Sequence, residues 1–392
     1  MKKTIHDLAI HSGIPEFKEK LHVGLPNLGN RESLMKRINK ILDTRWFTNN
    51  GPLVQEFEKE LIKTIGVKHC IAMCNGTVAL EIAIRALGLT GEVIVPSFTF
   101  IATAHALQWQ GITPIFCDIS LHNYTIDPCM VEKMVTPRTS GIIGVHLWGR
   151  SCDIEALTHI AKKHNISLIF DAAHAFACSH KGHLIGGFGD AEIFSFHATK
   201  FLNTFEGGAV MTNNDELAEK IRLMKNFGFQ GKDNVIHIGV NGKMSEISAA
   251  MGLSSLECIE EFIMANYRNY KYYYQELERI PGIRLVSYDD RERFNYQYIV
   301  LIIDEEVTGI SRDRLVEILH AENIIARRYF YPGCHKMEPY RSYSPHAGMM
   351  LPNTEKFVHK VLILPTGPTI DQDHIKRICT ILRVAIENSS DL

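Results

Sequence analysis

The chain has 392 residues, of which 45% are hydrophobic and 22% charged, and its formal net charge is -2. This composition is typical of a soluble globular protein, and the length allows two domains of about 100–200 residues each. A net charge near zero argues against a polyanion-binding protein, so we expect no nucleic-acid partner. No apolar run approaches the roughly 18 residues of a membrane span, and no signal peptide is evident, so we expect no membrane association.

The nine cysteines bear on the compartment in which the protein works. Their number is odd, their spacing is irregular, and several lie in apolar strand-like runs, such as Cys117 in PIFCDI. Reduced thiols in a reducing compartment explain this pattern, so the sequence predicts a cytoplasmic protein. The spacing of Cys178, His180 and His183 matches no standard metal site, and we expect no metal.

The predicted elements begin with two helices, RESLMKRINKILDT and PLVQEFEKELIKTIG, the second with Pro52 in its first turn. From Lys68 to Phe227, short apolar runs alternate with amphipathic helical stretches. The apolar runs are HCIAMC, EVIVPS, TPIFCDI, GIIGVHL, SLIFDA, AEIFSF and GGAVMT. This alternation predicts an α/β fold with a large, mainly parallel sheet flanked by helices on both faces.

The last part of the chain has a different pattern. A long helical region is predicted from Ser245 to Arg279, followed by a strand in NYQYIVLIID and helices in SRDRLVEILHAEN and HIKRICTILRVAIEN. The interruption at IPGIRLVSYDDRERF favours a domain boundary there. We therefore predict a large domain with the N-terminal helices at residues 1–280 and a smaller C-terminal α/β domain at residues 281–392.

The first of three chemically informative segments is Asn75-Gly76-Thr77, which lies between a predicted strand and a predicted helix. Glycine permits close approach of the backbone to a ligand, and a helix N-terminus offers free N–H groups to an anion. The segment therefore suits phosphate binding. The alternative is a simple strand-to-helix turn with a helix N-cap.

The second segment, LIFDAAHAF, ends an apolar strand with Asp171, and the third, AEIFSFHATKFLNTFEGGAV, places Lys200 after another strand. Ligands bind at the C-terminal ends of strands in α/β sheets. A lysine among apolar residues is partly desolvated, which lowers its pKa and frees the neutral amine for imine formation, although a surface lysine is the alternative. A phosphate site, a carboxylate and such a lysine are together the groups that pyridoxal 5′-phosphate (PLP) requires.

With these motifs the chain resembles the DegT-type nucleotide-sugar aminotransferases, which are fold-type-I PLP enzymes. The motifs occur in order over nearly the whole chain, from GLPNLGNRESL to LPTGPT. They are NGTVALEIAI, VPSFTFIATAHA, DAAHAF, SFHATKFLNTFEGG and GVNGKMSEISAAMG. The resemblance implies the fold-type-I aminotransferase fold and PLP as cofactor.

The resemblance also implies a role for each residue that matches a motif. Lys200 would be the catalytic lysine that holds PLP as a Schiff base, and Asp171 would bind the pyridinium nitrogen. The other cofactor-binding residues would be Gly76, Thr77 and Ser195 at the phosphate, Phe100 on the ring face, His174 beside the ring, and Asn241 reaching the phosphate from the neighbouring subunit. A homodimer with shared active sites is therefore expected.

The expected substrates follow from the same resemblance. ARRYFYPGCHKMEPY and LPTG resemble the branch that aminates C4 of dTDP-4-keto-6-deoxy-D-glucose to dTDP-4-amino-4,6-dideoxy-D-glucose, with glutamate as the amino donor. Arg327 and Tyr329 lie in this stretch with Arg328 and Tyr331, and an arginine there could pair with the diphosphate. Phe205 replaces the usual glycine of TGEGG and is expected to reshape the substrate pocket.

Three other functions remain as alternatives at this point. One is amination at C3 of a nucleotide-linked 3-keto sugar. The second is a PLP-dependent sugar dehydratase on the same fold, in which histidine replaces the lysine, and Lys200 argues against it. The third is a non-catalytic regulator that binds PLP or a sugar, for which no DNA-binding helix-turn-helix or basic tail provides support.

Overall fold

The structure is a computed structural model that describes residues 2–11 and 13–391. A seven-stranded sheet lies at its centre, and a three-stranded antiparallel sheet lies in the C-terminal part. The predicted α/β fold with a large, mainly parallel sheet flanked by helices is confirmed.

The helices and strands can be given in chain order. The helices are α1 (Arg31–Thr44), α2 (Pro52–Ile65), α3 (Gly76–Leu87), α4 (Ala102–Gln108), α5 (Pro128–Met134), α6 (Ile154–His164), α7 (Asp215–Met224), α8 (Glu246–Leu256), α9 (Ile259–Leu277), α10 (Glu305–Thr308), α11 (Arg312–Ala321), α12 (Tyr340–Tyr343), α13 (Pro352–Phe357) and α14 (Gln372–Glu387). The strands are β1 (Leu21–His22), β2 (His69–Met73), β3 (Glu92–Pro96), β4 (Thr113–Cys117), β5 (Thr139–Val145), β6 (Ser167–Asp171), β7 (Ser179–His180), β8 (His183–Leu184), β9 (Ala191–Ser195), β10 (Gly208–Thr212), β11 (Phe229–Gln230), β12 (Asn234–Val235), β13 (Ile283–Leu285), β14 (Ile299–Ile303), β15 (Ile324–Ile325) and β16 (Val361–Leu364).

The central sheet has the strand order β2-β10-β9-β6-β5-β3-β4. Only β10 runs antiparallel to its neighbours within this sheet, and the other pairs are parallel. Alternate residues of a strand point to opposite faces. In β2, Cys70 and Ala72 join a hydrophobic cluster with α2 and α8, whereas Ile71 and Met73 join a second cluster with α3. Both faces of the sheet are therefore buried, as a parallel sheet requires.

The predicted helices are observed, and one predicted helical region contains a break. Helix α1 follows Asn30, whose side chain accepts a hydrogen bond from the backbone N–H of Ser33 at 2.9 Å, and Pro52 stands in the first turn of α2 as predicted. The single helical region predicted from Ser245 to Arg279 is instead two helices, α8 and α9. Cys258 separates them with a non-helical backbone (φ -113°, ψ 14°).

The C-terminal sheet has the order β13-β14-β16 and shares a hydrophobic core with α9, α11 and α14. Ile5, Leu8 and Phe17 from the other end of the chain belong to the same core. Fully buried Glu322 fixes this N-terminal segment, because its carboxylate accepts hydrogen bonds from the backbone N–H groups of Ala9 and Glu16, both at 2.7 Å. The division into residues 1–280 and 281–392 stays a proposal.

Residues 21–27, which we call the strap, link the C-terminal part of the molecule to the loop after β9. At its start, β1 pairs in parallel with β15. At its end, buried Asn27 donates a side-chain hydrogen bond to the carbonyl of Phe201 at 2.9 Å, and its own carbonyl accepts one from Asn203 at 2.7 Å. The strap therefore runs from the C-terminal part of the molecule to the segment that carries Lys200. Among the described helices, none is long and apolar enough to cross a membrane.

Candidate active site

A cavity of about 900 Å³ opens at the carboxyl ends of the parallel strands. Val145 at the end of β5, Asp171 at the end of β6 and Ser195 at the end of β9 all line it. This is the edge at which an α/β sheet binds its ligands, because the loops that follow the strands converge there. The strap, the start of α3, and Arg327, Tyr329 and Phe330 complete the walls.

The N-terminus of α3 forms one end of the cavity. The side chain of Asn75 caps the helix by accepting a hydrogen bond from the N–H of Val78 at 2.8 Å. The N–H groups of Gly76 and Thr77 belong to the first turn, which has no helical acceptors for them. A Cβ added to Gly76 would lie only 2.9 Å from the Cβ of Ser195, so this position admits no side chain. Two backbone donors and the Ser195 hydroxyl thus surround a space suited to an anion.

Asp171 lies deeper in the same cavity and is held by two donors. Its Oδ1 accepts a hydrogen bond from the N–H of Ala173 at 3.1 Å, and its Oδ2 accepts one from the hydroxyl of Thr103 at 2.9 Å. An ionised carboxylate accepts hydrogen bonds and donates none, which matches this pair of donors. The carboxylate is therefore fixed at the cavity wall.

Lys200 lies in the loop after β9, where its backbone N–H donates to the carbonyl of His197 at 2.8 Å. Burial lowers the pKa of its amine from the ordinary value to about 8, and the charge of Asp171 opposes part of that shift. A lysine with this pKa is partly neutral near pH 8, and only the neutral amine is a nucleophile.

His174 is buried beside these groups. Its Nδ1 accepts a hydrogen bond from the backbone N–H of Trp148 at 3.3 Å, which leaves the ring proton on Nε2. Burial, reinforced by the charge of Lys200, holds the pKa of His174 well below its usual range. The ring stacks on Phe330 with a centroid distance of 5.7 Å. His174 is therefore a neutral hydrogen-bond donor at this wall.

Phe100 and the substrate-side residues line the cavity as well. Phe100 is 55% exposed, and its ring centroid lies 6.2 Å from that of Phe330. Arg327 and Tyr329 both face the cavity, with the guanidinium of Arg327 5.1 Å from the Tyr329 ring. An exposed aromatic face and an arginine with no carboxylate partner among the described residues are available to a ligand.

Two other residues of the predicted substrate stretch do not line the cavity. Arg328 forms a hydrogen bond with Asp313 at 2.7 Å, and its guanidinium lies 4.8 Å from the centre of the Tyr331 ring. Of the four residues named in this stretch, Arg327 and Tyr329 line the cavity and Arg328 and Tyr331 do not, so the prediction of a nucleotide-sugar contact is carried by Arg327 and Tyr329.

Phe205 and Asn241 lie outside the lining of the cavity of their own chain. Phe205 is 44% exposed and has a left-handed backbone (φ 63°). Asn241 forms a bridge with Asn226, next to Gly242, whose carbonyl accepts a hydrogen bond from the N–H of Cys74. Asn241 therefore does not line the cavity of its own chain.

Sequence reasoning missed several residues of the site. The strap places His22 and Gly24 in the cavity wall. Gln297 and Tyr298, the two residues before β14, also line it, and the Thr103 hydroxyl donates a hydrogen bond to Asp171. The strap could have been noticed, since a Gly-Leu-Pro run marks an irregular segment before α1. Gln297 and Tyr298 lie in an alternating strand pattern that carries no signal of a ligand.

Comparisons with known proteins agree with this geometry. The model of the DegT/DnrJ/EryC1/StrS aminotransferase family matches residues 29–383. A Shigella dysenteriae protein described as dTDP-4-amino-4,6-dideoxy-D-glucose transaminase is 38% identical over 94% of the chain and 99% of its own length. A Caulobacter vibrioides protein described as GDP-perosamine synthase is 36% identical over 82% and 87%. The crystal structure of DesI with its TDP-sugar product superposes with a TM-score of 0.95 at 47% identity, covering 99% of this chain and 98% of DesI.

Proposed function

Because the chain belongs to the DegT/DnrJ/EryC1/StrS aminotransferase family, we propose that it transfers the amino group of glutamate to C4 of dTDP-4-keto-6-deoxy-D-glucose with PLP as its cofactor. The observation that carries the proposal is a single cavity lined by Lys200, Asp171 and the N-terminus of α3. These residues supply an amine in the loop after β9, a carboxylate at the end of β6, and an anion site at the start of the helix that follows β2.

The residues of the cavity fit PLP. Its phosphate would be held by the N–H groups of Gly76 and Thr77 and by the Ser195 hydroxyl, which lies close to Gly76 because that residue has no side chain. Asp171 would pair with the ring nitrogen, and Phe100 presents an exposed aromatic face to the ring. His174 offers the Nε2 proton beside the ring.

When bound, PLP would accept the amino group from the donor and withdraw electrons from the carbon that loses a proton. Lys200 then has two tasks. Its neutral amine first holds the cofactor, and once released it takes the proton from the α-carbon of glutamate. A lysine with a pKa of about 8 can both accept and return that proton near neutral pH. No other general base is required, because the amine is already in position.

The substrate end of the cavity supports a nucleotide-linked sugar. A cavity of about 900 Å³ exceeds what glutamate alone needs. Arg327 at its wall suits the diphosphate, since guanidinium groups bind phosphate oxygens in pairs. The choice of C4 rests on the name of the relative at 38% identity, and the choice of dTDP rests on that name and on the TDP-sugar product of DesI at 47% identity.

A homodimer with shared active sites belongs to the proposal. The segment before Asn241 exposes apolar side chains, among them Phe227, Ile238 and Val240, and Ile238 is 75% exposed. Exposed apolar residues in such a run favour burial against another protein surface. A second copy docked there would bring Asn241 to the phosphate end of its neighbour's cavity.

The nine cysteines form no disulfide, which supports the reducing environment of the cytoplasm.

The test is a substrate panel. Purified protein is incubated with PLP, glutamate and dTDP-, UDP- and GDP-linked keto sugars, and the products are identified by mass spectrometry and NMR. We expect 2-oxoglutarate and dTDP-4-amino-4,6-dideoxy-D-glucose in equal amounts. Nitrogen at C3, or exclusive use of a GDP- or UDP-linked sugar, would replace the proposed substrate but retain the aminotransferase. Binding of PLP without any product would favour a regulator.

A further inference from the structure

Thr103 contacts the candidate site without being part of the cavity. It lies in α4, its side chain is fully buried, and it does not line the cavity, whereas its neighbour Ala102 does. Its hydroxyl lies 2.9 Å from Oδ2 of Asp171, 68 residues away in the sequence. Of the two hydrogen bonds that this hydroxyl forms with other side chains, the one with the carboxylate at the end of β6 is the shorter.

The direction of the hydrogen bonds around Thr103 follows from the chemistry of the groups. An ionised carboxylate only accepts, so the single hydroxyl proton of Thr103 is directed to Asp171. The hydroxyl of Thr99 lies 3.3 Å from that of Thr103, and must then be the donor of that weaker contact. The result is a chain of donors that ends on Asp171. With the N–H of Ala173 on the other oxygen, both carboxylate oxygens are held.

The same contact joins two walls of the cavity. Thr103 follows Phe100 by three residues, and its N–H donates to the carbonyl of Phe100 at 3.2 Å. Phe100 presents its ring to the cavity, and Asp171 presents its carboxylate. The hydroxyl of Thr103 thus ties the segment that carries the aromatic face to the strand that carries the acid.

We propose that Thr103 is a positioning residue that orients the Asp171 carboxylate toward the ring nitrogen of PLP. This inference rests on the proposed function. Thr103 touches neither cofactor nor substrate, so its whole effect passes through Asp171. The effect must therefore depend on the presence of the ring nitrogen, whereas a purely structural effect would not.

The experiment tests whether the effect of Thr103 on cofactor binding depends on the ring nitrogen. The dissociation constants of pyridoxamine 5′-phosphate, and of its 1-deaza analogue in which C–H replaces the ring nitrogen, are measured by fluorescence titration. Pyridoxamine phosphate is chosen because it binds without a covalent bond to Lys200. The proteins are wild type, Thr103→Val, Thr103→Ser and a matched control, Thr125→Val. Thr125 is also buried, and its hydroxyl has no hydrogen-bond partner among the described residues.

We expect Thr103→Val to weaken pyridoxamine phosphate about tenfold, the size of one lost hydrogen bond to a charged group. The same variant should weaken the deaza analogue by less than about twofold, since Asp171 has no partner there. Thr103→Ser keeps the donor and should restore binding, and Thr125→Val should bind both probes like wild type. Thr103→Ala provides a second removal of the hydroxyl if the valine variant folds poorly.

Equal losses for the two probes would show that Thr103 only supports the fold, and would overturn the proposal. Unchanged binding of both probes by Thr103→Val and Thr103→Ala would overturn it too. If wild type binds neither probe, the proposed function itself fails, and this inference fails with it. Binding of both probes by wild type without any dependence on Thr103 leaves the proposed function intact.

Discussion

Lys200 shows how one residue sets a measurable pH dependence. Cofactor-free protein is mixed with PLP at a series of pH values and reduced with borohydride, and the labelled Lys200 peptide is quantified by mass spectrometry. Because the pKa is lowered to about 8, the neutral amine should increase with pH with its midpoint near that value and level off only above it. An ordinary lysine, with a pKa of about 10.4, would still gain reactivity well above that pH.

Lys200→Ala is the control for this measurement. It should show no labelled peptide at this position and no turnover, because alanine has no amine. A nearby arginine cannot replace the lysine, since its guanidinium stays protonated. A midpoint near that of an ordinary lysine would contradict the burial argument. Normal turnover of Lys200→Ala would remove Lys200 from the catalytic role.

Asp171→Asn tests the carboxylate. Loss of one partner of a buried ion pair costs about 3–5 kcal/mol, so turnover should fall on the order of 10²–10³-fold or more. The charge of Asp171 raises the pKa of Lys200, so its removal should also move the midpoint of PLP labelling to lower pH. Turnover and the pH midpoint of PLP labelling are both measured on variant protein whose circular dichroism spectrum matches that of wild type. Turnover within a factor of two of wild type would exclude the proposed role.

The sequence identified these residues but not their supports. Lys200 and Asp171 are recognisable because polar groups follow apolar strands. Thr103 is not, since its partner is distant in the sequence and its own helix shows only a mixed small and apolar pattern. The tautomer of His174 depends on a backbone N–H of Trp148 that no side-chain pattern reveals.

Among the elements, the strands and their order along the chain could be predicted from the apolar runs that alternate with amphipathic stretches. The break between α8 and α9 could not be predicted in this way. The residues of α8 are nearly all buried, so its pattern lacks the polar face that would mark a boundary. The break occurs at Cys258, and no glycine or proline is present there to predict the end of a helix. Tertiary packing decides it, as packing often overrides local preference.

The segment 327–331 supplies a matched pair of variants. Arg327→Ala should raise the KM for the nucleotide sugar at least about tenfold, because a charged hydrogen bond to the diphosphate is lost. Arg328→Ala should leave that KM within about twofold, since Arg328 is outside the cavity and already bonded to Asp313. The half-reaction with glutamate alone should be unchanged in both variants. Equal effects of the two substitutions on KM would contradict the assignment of Arg327.

At the scale of the whole molecule, the two ends of the chain meet in a way that local patterns do not show. The core of the C-terminal part includes Ile5 and Leu8, and Glu322 bonds the backbone of Ala9. The strap then crosses to the large sheet and passes the cavity, with Gly24 in a left-handed conformation (φ 76°) against Thr199. Such contacts depend on the completed fold, so a boundary drawn at residue 280 from sequence cannot anticipate them.

The shared active site is a prediction about two copies of the molecule. Asn241 lies outside the cavity of its own chain, so its proposed contact with the phosphate requires the partner subunit. Lys200→Ala and Asn241→Ala are each expected to be nearly inactive as homodimers. In a mixed dimer, one site carries both substitutions and the other carries neither. Mixing the two variants and allowing subunit exchange should therefore restore up to about half of the wild-type activity per mixed dimer.

The control for this experiment is a mixture in which exchange is blocked by chemical cross-linking of each homodimer beforehand, and it should stay inactive. Exchange itself is followed with differently tagged chains, so that the fraction of mixed dimers is known. If sites were confined to single chains, every site in a mixed dimer would carry one substitution, and no activity would return. Proven exchange without recovery would thus exclude a shared site, and would leave Asn241 as a turn residue next to Gly242, a pairing that asparagine and glycine favour by themselves.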